Sequence, residues 1–361
     1  MDITLFTGGL KGGGAERVIC NLANYLSCRH NITILTMAET EKYDLNAEIT
    51  IYSLLSVQEN RGKLIKNIKR YFRLKQFIKK NKSDIYIVFL PVTICLFMHF
   101  KKFIKSPVVL SERNSPEKYS GLIQFLIKYY SKKADGMVYQ TNNIKNWYNL
   151  PDKINSIIIP NAINGSLPAI ETDITRKKKI VAVGRLTEQK NFELLIKSFA
   201  VISDKVKDYQ LIIYGEGTLR TKLEILINKL NLNKNVFLNG FSDNIYEDIK
   251  DAALFVLSSD YEGMPNALIE AMALGLPCVS TKCGGGGAEY LIKNGINGML
   301  VPINNIDALS KAILYMLENT SIAYKMGEEA QKIRYTLSPE IIYGKWETFL
   351  CDIKGYYDAD K

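Results

Sequence analysis

Short apolar runs recur along this chain, each ending in a polar or glycine-rich loop that leads into a helical pattern. That repeat restricts the fold more than any single motif. Asp2–Thr7, Asn31–Met37, Ile49–Tyr52, Ile85–Leu90, Val108–Ser111 and Gly136–Tyr139 read as strands of a first half. Lys179–Val183, Gln210–Tyr214, Val236–Leu238, Ala252–Leu257, Pro277–Ser280 and Gly298–Val301 read as strands of a second. Repeated β–α units imply parallel sheets with helices on both faces. The series is interrupted over Gly165–Lys179, a polar stretch with a charge run that fits a domain linker. With 361 residues there is enough chain for two domains. The expected architecture is α/β: two Rossmann-like parallel-sheet domains facing each other across a cleft.

In such sheets ligands bind beyond the carboxyl ends of the strands, so the loops there carry the functional reading. The most informative is Ser258–Leu274, SSDYEGMPNALIEAMAL. Pro265 suits a first helical position, where its missing N–H is harmless. Glu262 then sits on the loop before the helix and Glu270 in its second turn. The N–H groups at a helix start favour an anion. Two carboxylates for hydroxyl groups and a positive helix end for phosphate suit a sugar joined to a diphosphate. Taken alone, the pair also reads as a capped helix with two solvated glutamates. A second such loop, Gly8 to Gly14, lies between the first strand and a helix starting at Ala15. Its spacing matches neither a P-loop nor a G-x-G-x-x-G dinucleotide fingerprint. Ser111-Glu112-Arg113-Asn114 falls at another strand end and supplies further polar candidates.

The net charge of +10 is unevenly placed: residues 1–160 carry +12 and residues 161–361 carry −2. The first half therefore favours an anionic partner. The two histidines, His30 and His99, cannot build a His-based metal or catalytic cluster, and the six cysteines form no C-x-x-C pair. Scattered thiols fit a reducing cytoplasm. The start, MDITLFTGG, lacks a basic leader region and reads directly as a strand. The strongly apolar uncharged run Ile85–Phe100 has 16 residues and contains Pro91. A span needs about 20 apolar residues, so this run reads as a strand and a buried helix.

Residues 61–82 hold ten basic residues and no acidic one, with Leu64, Ile65, Ile68, Phe72 and Leu74 interspersed at roughly helical spacing. A basic amphipathic helix of this kind suits an anionic membrane surface, and it also suits an ordinary outer helix with a solvated face. Phe100–Lys105 and Leu122–Lys133 mix basic and aromatic residues similarly.

Taken in order, the strand-end motifs resemble glycosyltransferase family 4, retaining sugar transferases of the two-domain GT-B fold, in its bacterial cell-surface polysaccharide branch. The matching motifs are Gly12-Gly13-Gly14-Ala15-Glu16-Arg17, Pro160-Asn161, Gly184-Arg185-Leu186 with Lys190, Gly215-Glu216-Gly217, Asn239-Gly240-Phe241, the pair Glu262 and Glu270, and Glu289 with Asn297-Gly298. The resemblance implies an N-terminal acceptor-binding domain over 1–165, a nucleotide-sugar domain over 166–340, and a terminal helix over 341–361 packing back on the first. It implies Arg185 and Lys190 on the donor diphosphate, offsetting charge that builds as the glycosidic bond breaks, with Glu262 on sugar hydroxyls and Glu270 on the ribose. Gly184, Gly215 and the backbone of Gly263, Met264, Pro265, Asn266 and Ala267 would surround the donor. Phe241 would flank the base, and Gly13 and Gly14 would approach from the other domain. Glu16, Glu112 and Arg113 would lie on the acceptor or sugar side.

No metal is implied, and the chain has no internal D-x-D; Asp358-Ala359-Asp360 lies in the last, frayed residues. No cofactor is expected beyond the nucleotide-sugar substrate, with a UDP-sugar favoured over a GDP-mannose-type donor. The expected acceptor is a lipid-linked, undecaprenyl-diphosphate saccharide at the inner membrane face. A glycerolipid or soluble acceptor is the alternative within the class. Two departures from the family stand out. Arg113 occupies a place where many members carry histidine, and arginine is no general base at neutral pH. The Gly284–Gly287 loop lacks the family's frequent proline. Two other classes compete. An NAD-dependent dehydrogenase lacks its fingerprint and a histidine catalyst here. A basic membrane- or nucleic-acid-binding protein would leave the sugar motifs unexplained, so no nucleic-acid partner is expected.

Overall fold

A computed structural model describes residues 1–10, 13–39, 44–59, 63–169 and 175–359. Lys11 and Gly12 of the glycine loop, Arg61 and Gly62 of the basic segment, and Asp360 lie outside the described residues. The chain forms two compact units: residues 1–162 with 340–361, and residues 163–339.

The first unit is built on seven strands: β1 Asp2–Thr7, β2 Asn31–Thr36, β3 Thr50–Ser53, β4 Ile85–Phe89, β5 Val108–Ser111, β6 Gly136–Tyr139 and β7 Asn155–Ile158. They pair in the order β3-β2-β1-β4-β5-β6-β7, all parallel. The central runs are buried on both faces, which is why β4 reads IYIVF without a charged residue. The uncharged run continues after β4 as a helix, Pro91–Met98. Among the described residues no helix is long and apolar enough to cross a membrane.

The second unit has six parallel strands: β8 Lys177–Val183, β9 Gln210–Tyr214, β10 Val236–Gly240, β11 Ala252–Leu257, β12 Cys278–Thr281 and β13 Met299–Val301. Their order is β10-β9-β8-β11-β12-β13. Lys177 and Lys178, read from sequence as linker, are the start of β8, since Lys177 pairs with Ala252 of β11. Its core draws on Phe192, Leu195 and Phe199 of the helix Phe192–Ile202, with Leu309 and Ile313 of the helix Ile306–Glu318.

Unit boundaries fall slightly before the expected 165/166 and 340/341 because Ile163 N donates to Leu337 O at 2.8 Å and Asn164 Nδ2 to Tyr246 Oη at 2.7 Å. The last helix, Pro339–Ala359, belongs with the first unit. Arg29 grips Glu347 through Nε at 2.8 Å and Nη2 at 2.7 Å. Trp346 is buried with its ring 6.1 Å from that of Phe89. Asp358, expected in a frayed end, is helical and pairs with Lys354 at 2.9 Å.

Candidate functional site

Each sheet reverses its strand order at one point, beside β1 in the first unit and beside β8 in the second. A doubly wound sheet opens a crevice there, beyond the strand carboxyl ends. In the second unit the strands flanking the reversal are β8 and β11. The loop after β8 holds Gly184, Arg185 and Lys190, and the loop after β11 holds Glu262.

These two loops are bonded to each other. Ser258 Oγ donates to Lys190 O at 2.9 Å, and Asp260 N to Gln189 O at 2.9 Å. Asn191, at φ 44, bonds Asp260 Oδ1 through Nδ2 at 2.8 Å, while its own side chain caps the Phe192–Ile202 helix at Leu194 N. Asparagine tolerates that left-handed backbone and caps well. The result brings Lys190 Nζ to 2.5 Å from Glu262 Oε1, both largely buried. Ser259 Oγ also donates to Oε1, at 2.9 Å, and Gln189 Nε2 approaches Oε2 at 3.4 Å. Ser259 and Gln189 had no assigned role in the sequence reading. Ser259 lies three residues before the glutamate, a spacing common to local side-chain contacts. Gln189 is reachable only through the fold.

Glycines shape this crevice by what their hydrogens leave room for. A Cβ on Gly184 would lie 3.0 Å from the Lys190 stem. One on Gly215, at φ 134, would lie 2.0 Å from Gly184 O, and one on Gly287 would lie 2.3 Å from Gly263 O. The Gly284–Gly287 loop is thus pressed onto the Glu262 loop, with Glu262 N donating to Gly284 O at 2.8 Å. Gly285 and Gly286 take φ 96 and 76, values closed to proline. This gives the missing proline a local reason at those two positions.

The helix after this loop runs Asn266–Ala273, with Pro265 as its cap at φ −78, ψ 99, one position earlier than the sequence reading placed it. The first ladder bond is Leu268 N to Pro265 O at 3.1 Å, so the Ala267 amide lies ahead of the ladder. Gly263 and Met264 are buried behind the turn, and Glu270 is a buried carboxyl on the helix. Arg185 is exposed and, among the described residues, has no ion pair. Phe241, just past β10, is 78% exposed.

The first unit holds the other sequence candidates. Gly13 caps the helix Gly14–Ser27, and Glu16 returns its carboxylate to Gly13 N at 2.8 Å. Glu16 is therefore a capping residue. Glu112 is fully buried. Its Oε1 accepts from Arg113 N at 2.9 Å, Asn114 N at 3.1 Å and Tyr119 Oη at 2.8 Å, and its Oε2 from Tyr148 Oη at 2.7 Å. Burial pushes its carboxyl pKa up against those four donors. With its oxygens so engaged, Glu112 tethers its loop. Arg113 is buried too, and burial pushes its pKa down to about 10.

Two parallel sheets, each ending in shaped loops at a reversal, with a lysine–glutamate pair beside a helix start in the second, define a two-unit doubly wound α/β architecture. The chain belongs to the glycosyltransferases. Residues 12–166 match the description Glycosyltransferase Family 4, and residues 168–333 match Glycosyl transferases group 1. Over 342 residues the chain is 30% identical to the Campylobacter jejuni N-acetylgalactosamine-N,N'-diacetylbacillosaminyl-diphospho-undecaprenol 4-alpha-N-acetylgalactosaminyltransferase, covering 89% of this chain and 92% of that protein. It is 34% identical over 255 residues to an uncharacterized glycosyltransferase of Methanocaldococcus jannaschii, covering 63% of this chain and 62% of that one. Anabaena Alr3699/HepE in complex with UDP shares the fold, with a TM-score of 0.80 at 17% identity, covering 98% of this chain and 100% of that one. The fold is GT-B.

Proposed function

We propose that this glycosyltransferase moves a hexose or N-acetylhexosamine from a UDP-sugar to an undecaprenyl-diphosphate-linked saccharide, with retention at the anomeric carbon and without a metal. The observation that carries the reading is the Lys190–Glu262 pair at 2.5 Å between the loops flanking the β8/β11 reversal. Lys190 keeps further N–H donors for a diphosphate, and exposed Arg185 lies on the same loop. Fixed cations aimed at a leaving diphosphate stabilise its developing charge. Glu262 and Glu270 supply carboxylates for sugar and ribose hydroxyls, and the Gly263–Ala267 turn supplies amides. The leaving phosphate takes the acceptor proton on the front face, so no side chain acts as nucleophile. The acceptor class is supported by the activity of the Campylobacter relative, and the nucleotide by the UDP in the Anabaena structure.

The acceptor would be met at the inner face of the membrane. The helix Lys63–Lys80 has Leu74, Phe77 and Ile78 in the first unit's core and leaves Ile65, Ile68 and Phe72 exposed. Basic residues beside exposed apolar ones suit an anionic bilayer. Part of that charge is offset, because Glu59 pairs with Arg73 at 2.6 Å and Lys69 at 3.2 Å.

A thermal-shift titration in EDTA with UDP, GDP and NAD tests the donor. Ligand at 100 times its dissociation constant adds about 2.7 kcal/mol to the folded state. UDP alone should raise the melting temperature. GDP alone would move the donor to a GDP-mannose type, and NAD alone would defeat the transferase reading of the site. Inverted product by NMR would defeat retention.

A further inference from the structure

A buried arginine with unsatisfied donors sits at the carboxyl edge of the first unit's sheet. Arg113 is 93% buried by its 7% exposure. Its Nη1 donates to Asn161 Oδ1 at 3.1 Å, but Nε and Nη2 are buried without a hydrogen-bond partner among the described residues. Those two nitrogens form one edge of the planar fork, spaced to meet two oxygens of one group. The nearest carboxylate in sequence, Glu112, is held by Tyr119, Tyr148 and two amides. The guanidinium rests instead on rings, 5.4 Å from Phe89 and 5.3 Å from Trp346.

Other polar groups at this edge are also unmatched. Phe89 pairs in register with Ser111, and Thr7 follows the Phe6–Val88 pair, so Thr7, Phe89 and Ser111 share one face. Thr7 Oγ1, Ser111 Oγ and Gln140 Oε1 are buried without a hydrogen-bond partner among the described residues. Gln140 reaches the same Asn161 oxygen as Arg113, at 2.7 Å. Leu90, next to Phe89, is held at φ 71, ψ 148, a strained backbone for a non-glycine residue that tends to mark functional edges.

We infer that this edge is a receptor for one two-oxygen anionic group of a substrate, a carboxylate or a phosphoryl, with Arg113 as its cation. Only the word substrate rests on the transferase reading above. The hydroxyls of Thr7 and Ser111 add donors for the same group.

The full chain carrying Trp147→Phe keeps Trp346 as its sole tryptophan, a reporter against Arg113. UDP is titrated first and left at saturation. Sodium glucuronate, glucose and sodium pyrophosphate are then added in separate arms. A saturable change in Trp346 fluorescence with glucuronate, absent with glucose, assigns a sugar carboxylate; the same change with pyrophosphate assigns a phosphoryl group. Arg113→Lys keeps the charge and loses the paired donors, and should weaken the anion about tenfold or more. Ser111→Ala removes an unbonded hydroxyl, should weaken it severalfold, and serves if Arg113→Lys does not fold. No response to either anion, or folded variants that bind as the parent does, would overturn the receptor. If UDP fails to bind while an anion responds, the nucleotide-sugar reading falls and the receptor stands.

Discussion

Lys190 Nζ lies 2.5 Å from Glu262 Oε1, although 72 residues separate them. The contact joins the loops on either side of the second sheet's reversal, so each residue holds the other in the crevice. Lys190→Ala should lower kcat on the order of 10²–10³, the scale for one lost donor to developing negative charge. Transfer kinetics with the identified UDP-sugar check this, and an unchanged kcat would remove Lys190 from the diphosphate.

Arg185 separates chemistry from stability. It is exposed, so Arg185→Ala should leave folding within about 0.5 kcal/mol. Turnover should nonetheless fall by on the order of 2–4 kcal/mol in barrier. Paired measurement of melting temperature and kcat decides. A large loss of stability would mean that the side chain supports the loop and that its kinetic effect is indirect.

Gly215 has no room for a side chain, since its Cβ would meet Gly184 O at 2.0 Å and its φ is 134. Gly215→Ala should destabilise the protein by about 2 kcal/mol or more. Gly165→Ala, which meets nothing within 4 Å among the described residues, should stay within about 0.5 kcal/mol. Chemical denaturation of both variants tests the contrast, and equal midpoints would refute it.

Arg73, then the Ser56 amide and Lys69, hold the Glu59 carboxyl down at about 2, against an ordinary 4.5. A depressed folded-state pKa contributes stability above the unfolded value, and that stability is lost as pH falls towards the folded one. The melting temperature of the parent should exceed that of Glu59→Gln at pH 6. The gap should close between about pH 4.5 and 2. A gap independent of pH would show that the ion pairs contribute nothing. Salt should narrow the gap at pH 6, as these groups are near the surface.

Phe72, 62% exposed on the basic helix, offers an apolar anchor beside its positive charge. The parent should pellet with anionic liposomes at low salt, and Phe72→Glu should pellet less. Equal sedimentation with neutral and anionic liposomes would end the membrane proposal.

The strands were legible because a strand buried on both faces must be apolar throughout; Ala252–Leu257 is an example. The loops were legible as places but less so as contacts. Nothing in the spacing of Lys190 and Glu262 says that they touch, because that follows from β8 and β11 being neighbours. Glu112 and Glu16 looked like substrate ligands because a carboxylate at a strand end or helix start has that appearance. The amides that meet both carboxylates are sequence neighbours, while Tyr148 reaches Glu112 only through the fold. The unmatched edge of Arg113 was invisible for the same reason: a residue's missing partners can be counted only once its neighbours are known.

The helix over residues 340–359 completes the first unit, placing Trp346 on Phe89 and over Arg113. Residues 163–339 form the second unit without interruption. During synthesis, therefore, the second unit has all its residues before the first does. Residues 1–162 must wait for residues 340–359 to be made before the Phe89 and Arg113 face is covered. The anion-receptor edge is therefore assembled only after the whole of the second unit has been made, although its arginine is made early.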